Sequence, residues 1–355
     1  MKRIHTLLAV FCAICLLAPV RARAVTISTV PVSNAGNAND STGFGAVAYD
    51  YRVAAREVTV GQYTEFLNAV AATDTHALYN SSMATIVNIA GISRSGVAGS
   101  YSYSVIGSAN HPITYVSWGD AARFTNWLHN NQPTGSQNAI TTENGAYFLN
   151  GAISDAALNA VVRSAGARWF LPTENEWYKA AYHKNNGVTG NYWDYPTSTD
   201  SIPYSDQPPG SDSPTQLNTA NFFKDDSSAN LYDDGYAVPG SGFYSSTQNY
   251  LTDVGAYISS TSPYGTFDQG GNVYEWNETL SPGGSFRGLR GGSWYHDATT
   301  LLASSRSNDI PSDESSVAGF RVATIPEPGS AMLAILACGM TGWWRKRYGG
   351  ASGRR

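Results

Sequence analysis

Three stretches of this 355-residue chain carry the full signature of a helix start. That scarcity is the main constraint on what it can fold into. Thr59-x-x-Gln62, Ser117-x-x-Asp120 and Thr173-x-x-Glu176 are capping boxes, in which two side chains satisfy backbone N–H groups that the first turn leaves free. Behind them come Tyr63, Phe66, Leu67 and Val70; Ala121, Phe124, Trp127 and Leu128; and Trp177, Ala180 and Ala181, each set spaced to form one apolar face. The boxes also explain the neighbouring carboxylates Glu174 and Glu176 as capping groups. Strand-like pieces are short, at 51–53, 113–116 and 321–323. The remainder reads as loop, with 35 Gly and 16 Pro. The stretch 185–265, rich in Gly, Ser, Asp, Tyr and Pro, is too long to stay ordered in a compact domain without a brace. Bound metal is one candidate brace; buried Trp and Tyr with hydrogen-bonded tips are another. The expected class is α+β, loop-rich, with little regular secondary structure.

Charge narrows the partners. Charged residues make up 14% of the chain, against about a quarter in an ordinary globular protein. Nine of the 22 Lys and Arg lie in 1–24 and 329–355, while all 27 acids lie between, so the body carries a net charge of −14. Such a body repels a phosphate backbone, which argues against nucleic acid; its acids suit hard cations better. The cysteines are Cys12, Cys15 and Cys338. The body therefore contains no intramolecular disulfide, thiolate metal site or cysteine nucleophile. A nucleophile elbow and a phosphate-binding loop are also missing from it.

Both ends read as addresses. Lys2-Arg3, an apolar run from Leu7 to Val20 and Ala22-Arg23-Ala24 form the n-region, h-region and cleavage site of a signal peptide over 1–24. Residues 25–48 are small and polar and read as a lead-in segment. The chain closes with Pro326-Glu327-Pro328, apolar Ala331–Trp344 and Arg345-Lys346-Arg347. This resembles the PEP-CTERM sorting signal over 324–355, which implies an exosortase-type sorting machinery as partner. A plain tail anchor is the rival, since the apolar run is slightly short for a span and the basic cluster should stay cytoplasmic. Export across the inner membrane to the cell surface or beyond follows. The C-terminal segment would touch the membrane before any removal.

The body carries six motifs in order. They are Arg56-Glu57-Val58-Thr59-Val60-Gly61-Gln62-Tyr63; His111-Pro112-Ile113-Thr114-Tyr115-Val116-Ser117-Trp118; and Phe170-Leu171-Pro172-Thr173-Glu174-Asn175-Glu176-Trp177. Gly270-Gly271-Asn272-Val273-Tyr274-Glu275-Trp276, Leu289-Arg290-Gly291-Gly292-Ser293-Trp294 and Gly319-Phe320-Arg321-Val322 follow. Over 49–323 this resembles the sulfatase-modifying factor family, founded on the formylglycine-generating enzyme. The resemblance implies a fold related to C-type lectins. It implies two structural calcium sites, one at Asn221, Phe222, Asp234 and Tyr236, the other at Asp268, Gly271, Val273 and Glu275. It also implies a groove for an extended peptide, lined here by Ser293, Trp294, Tyr295, His296, Arg306, Ser307 and Asn308. The enzyme's two copper-binding cysteines stand three and eight residues after that serine. Here those positions are His296 and Leu301, and no thiolate pair can hold Cu(I). The expectation is a non-catalytic module binding peptide or extracellular polysaccharide, without copper. An oxidase of the family with altered metal chemistry at His296, or an enzyme of another class on this scaffold, is the alternative.

Overall fold

The computed structural model describes residues 24–325. The two sorting segments, apart from residues 24, 324 and 325, lie outside the described residues. Among the described residues no helix is long and apolar enough to cross a membrane.

The three expected helices form where their caps place them: α1, Val60–Val70; α2, Trp118–His129; α3, Glu174–Tyr182. Each opens on a reciprocal box. Thr59 Oγ1 accepts from Gln62 N at 3.1 Å while Gln62 Oε1 accepts from Thr59 N at 3.0 Å, and the Ser117 and Thr173 boxes close in the same way. A cap of this kind is worth about 1 kcal/mol. Larger stabilisation comes from the faces behind them. Phe66 packs on Phe124 and Trp127 at 5.3 Å each, and Phe124 meets Phe320 at 5.4 Å. Trp118, Trp127, Trp177 and Trp276 are fully enclosed. Two brief helical turns, Ser82–Thr85 and Asp155–Asn159, lack reciprocal boxes and were not expected.

The helices pack around two four-stranded sheets. In chain order the strands are β1 Thr29–Val32, β2 Tyr51–Ala54, β3 Trp169–Phe170, β4 Tyr274–Leu280, β5 Arg287–Arg290, β6 Ser307–Asp309, β7 Ala318–Phe320 and β8 Ala323–Thr324. One sheet has the order β1-β2-β8-β3 and the other β6-β5-β4-β7. The only parallel pair within these two sheets is β4 with β7. The chain crosses from the second sheet to the first at Arg321-Val322, so the expected strand 321–323 is in fact a crossover. The stretch 113–116 also forms no strand. Tyr115 adopts a φ of 54°, which breaks an extended run, and Ile113 N donates instead to Val58 O at 2.9 Å.

The segment 25–48 belongs to the body rather than leading into it. β1 pairs with β2 from Thr29↔Ala54 to Val32↔Tyr51. Val25, Val32 and Val47 are buried, and the Asn37 amide donates to Gly45 O and to Tyr192 Oη. Composition hid this, because a few apolar side chains among small polar ones suffice to anchor an edge strand.

Tyrosine tips brace the long loop. His183 Nδ1 lies 2.7 Å from Tyr264 Oη, and Tyr257 Oη donates to Asp206 O at 2.7 Å. Tyr250 Oη accepts from Ser245 N at 2.7 Å. Each buries a large ring while pairing its polar end.

Candidate functional site

The segment Ser293–His296 follows β5 through Gly291 and Gly292, both at positive φ. A Cβ on Gly291 would fall 2.7 Å from Gln269 O, and one on Gly292 2.4 Å from Thr300 Oγ1. Only glycine lets the chain turn this tightly against its neighbours. The turn buries Ser293 completely and places its hydroxyl 2.8 Å from His296 Nδ1. The imidazole stands edge-on to Tyr274 and Tyr295, at 5.1 and 5.6 Å. Burial pushes its pKa below the usual histidine value, against the pull of Asp297, so the ring is neutral near pH 7.

Trp294 points inward and is 3% exposed. It stacks on Tyr250 at 4.7 Å with planes 8° apart, and Tyr250 stacks on Tyr244 at 5.7 Å and 9°. Tyr236 lies against all three rings and against Tyr295 and Phe223. The inner rings are buried, whereas Tyr244 is 53% and Tyr295 52% exposed. Tyr244 Oη is held by Asn88 Oδ1 at 2.6 Å. The result is a rigid aromatic face with two open rings. Tyr244 and Tyr250 were missed from sequence. The density of tyrosine in 185–265 was the available signal, but nothing local says which of them meet Trp294.

The other expected groove residues do not join this face. Arg306 Nε binds Glu174 Oε1 and Oε2 at 2.8 and 2.9 Å, beside Arg290 on the same carboxylate. Glu174 is thus the anchor of two guanidinium groups rather than a cap, while Glu176 both caps α3 and holds Arg163. Ser307 and Asn308 lie on edge strand β6, opposite Leu289 and Gly288. Arg306, Ser307 and Asn308 share no hydrogen bond or ring contact with Trp294, Tyr295 or His296 among the described residues. Leu301 is completely buried against Tyr195, Ala220 and Phe222. His296 thus presents a neutral imidazole, and Leu301 faces the core.

Several oxygens of the two implied calcium sets are already engaged by the protein. Glu275 is buried and gives both oxygens to Arg321, with Nη2 at 2.6 Å from Oε1, and Oε2 also accepts from Trp177 Nε1 at 2.7 Å. Asp268 Oδ2 accepts Gly255 N. Gly271 is pressed on the Asn221 backbone, where an added Cβ would approach Asn221 O to 2.3 Å, and Val273 packs beside Trp294. In the first set, Asp234 accepts Leu231 N at 2.9 Å and closes its own loop. Phe222 O accepts Ser205 Oγ at 2.6 Å, and Tyr236 O accepts Gly240 N at 2.8 Å. Calcium wants about 6–8 oxygens free to converge; here the carboxylates of Glu275 and Asp234 and the carbonyls of Phe222 and Tyr236 already serve the fold. No group of three or more His, Cys, Asp or Glu among the described residues is arranged to hold a metal ion.

The order of the motifs, the capping boxes and the two sheets define a loop-rich α+β domain. Residues 44–325 match the model of the sulfatase-modifying factor enzyme 1-like domain. The chain belongs to that family. No curated protein matches it. Among solved structures it is similar to CarF, at 19% identity and a TM-score of 0.47, covering 85% of this chain and 99% of that one. It is also similar to variable protein 1 of Treponema denticola, at 17% identity, a TM-score of 0.47 and coverage of 85% and 96%. PvdO from Pseudomonas aeruginosa follows at 17% identity, a TM-score of 0.41 and coverage of 84% and 92%.

Proposed function

We propose that this protein is an exported, surface-sorted member of the family that binds an extended glycan or peptide and performs no oxidation. The observation that carries the reading is the aromatic face. Tyr244 and Tyr295 stand open over the buried Trp294–Tyr250 stack, so a ligand meets rings already held in place and little order is lost on binding. Sugar rings and extended peptides both use such rigid, amphipathic aromatics. His296 supplies a polar group beside them, and Asn88 holds Tyr244 in place.

Against oxidation stands the donor chemistry. Cu(I) activation needs two soft ligands facing one another. A neutral His296 bonded to Ser293 and a Leu301 enclosed in the core do not offer them. Export and sorting rest on the composition of 1–24 and 324–355, with an exosortase-type machinery as the partner that would act on the C-terminal segment.

The test is retention of the purified body on immobilised extracellular polysaccharide and, separately, on extended peptides. Retention by either, lost in Tyr295→Ala and Tyr244→Ala with melting unchanged, is the expected result. Copper-dependent oxygen uptake with a cysteine-containing sulfatase peptide, and a formylglycine product by mass, would overturn the reading.

A further inference from the structure

A polar cavity opens beside the first turns of α2, with none of the aromatic face in its wall. It encloses about 290 Å³ between the loop at Thr75–Ala77, the first turns of α2, the turn at Ile153–Leu158 and the loop holding Ser312 and Glu314. Asp120 and Arg123 both line it from α2. Three residues apart on one helix, they present opposite charges about 5–6 Å apart on one face.

Each charge is left incomplete in an informative way. Arg123 is 1% exposed. Its Nε and Nη2 hold Glu143 at 2.7 and 3.0 Å, and Nη2 also reaches Ala152 O at 2.9 Å. Its Nη1 has no hydrogen-bond partner among the described residues. This N–H is not fully enclosed, and an acceptor from a ligand in the cavity that Arg123 lines would complete it. On the other side Asp120 Oδ2 takes Ser117 N and Oγ at 2.9 and 2.6 Å. Glu314 is hydrogen-bonded to Asp120 and accepts from Asn80 Nδ2. Two carboxyl groups in this position lack a cation.

We propose that this cavity binds a small zwitterion of the α-amino acid class, its carboxylate on Arg123 Nη1 and its ammonium between Asp120 and Glu314. A metal ion is the wrong occupant, because the described residues hold no group of three acidic or imidazole ligands and a guanidinium lines the same space. A lone anion would leave the carboxyl pair without a cationic partner, and a lone amine would leave Arg123 Nη1 without an acceptor. Ala77, Ile153 and Leu158 give the ligand's side chain an apolar wall.

The proton balance follows from the neighbours. Facing Glu314 are Asp120 and Arg123 from α2, Asn80 and His76 from the 74–80 loop, and Asp313 beside it; Glu143 backs Arg123 and lies 3.6 Å from His76 Nε2. Burial, then the charge of Asp120, pushes the Glu314 carboxyl up to about 8, so it holds a proton at neutral pH. A ligand ammonium takes over that proton's charge-balancing role, and the proton leaves to solvent.

Isothermal titration of the purified body with L-leucine at pH 7, in two buffers of different ionisation enthalpy, tests this. Saturable one-to-one binding with release approaching one proton per site is expected. Leucinol, which lacks the carboxylate, and 4-methylpentanoate, which lacks the ammonium, should each bind at least tenfold more weakly. Glu314→Gln keeps the hydrogen bonds but not the exchangeable proton; it should weaken L-leucine at least tenfold and abolish proton release. No saturable heat at millimolar L-leucine overturns the proposal, as does equal binding of either analogue or preferential binding of glucose.

Discussion

Replacing Glu275 by alanine tests what braces the centre of the molecule. The carboxylate is wholly buried between β4 and the crossover, holding Arg321 through both oxygens and Trp177 through one. Alanine strips a buried guanidinium of both its carboxylate hydrogen bonds, with Glu57 and Asp268 as the remaining acids near it, and leaves an indole N–H without its acceptor. Breaking a buried pair from one side costs about 3–5 kcal/mol. At about 2 °C per kcal/mol in a domain of this size, the melting temperature should fall by about 6–10 °C. Removing both charges together, as Glu275→Leu with Arg321→Met, should recover much of the loss, because the penalty comes from the orphaned partner. Thermal unfolding followed by far-UV circular dichroism, with and without EDTA, is the assay. The parent should melt at the same temperature in chelator, since Arg321 rather than a cation neutralises Glu275. If Glu275→Ala melts as the parent does, or if EDTA lowers the parent's melting temperature, the reasoning fails.

Further outcomes follow from the same geometry. Trp294→Ala should cost about 3–5 kcal/mol in urea unfolding, because the indole is enclosed by the tyrosine cluster, whereas Tyr295→Ala should stay within about 0.5 kcal/mol and lose ligand only. The folded pKa of Glu314 lies above its unfolded value, so its contribution to stability is complete below the unfolded value and is lost as pH rises through about 8. The melting temperature should therefore decline as pH rises from the usual carboxylate range to about 8, and by less in Glu314→Gln. Intact mass of the exported protein should start at Val25 and end near Pro328; a mass that retains Arg355 would indicate a tail anchor.

The helices were legible because a capping box is a local signal, complete within four residues, and the faces behind it repeat at helical spacing. Trp127 and Trp177, on the apolar faces read from that spacing, are in the core. What escaped was settled across long separations. Trp294 finds Tyr250 and Tyr244 from a loop that carries no periodicity, so the aromatic face has no local trace. Arg306 looked like a groove residue because nothing nearby names Glu174, 132 residues away, as its partner. The acids of 268–275 suggested a cation for the same reason: the positive charge that answers Glu275 is Arg321, 46 residues further on. The segment 25–48 was judged by composition, and composition does not record that Val32 pairs with Tyr51.

The place of β8 bears on how the molecule is made. Its two residues, Ala323 and Thr324, lie between β2 and β3 and pair with both. The first sheet is therefore two disconnected halves until the last residues of the body arrive. A ribosome or a translocation channel releases the N-terminal end first, so β1 and β2 emerge early and wait through some 270 residues of synthesis for the strand that joins them to β3. Closure of the sheet is a late, terminal event. In the export proposed above, that timing would keep the body unfinished in transit and let this sheet lock only when its final strand clears the channel.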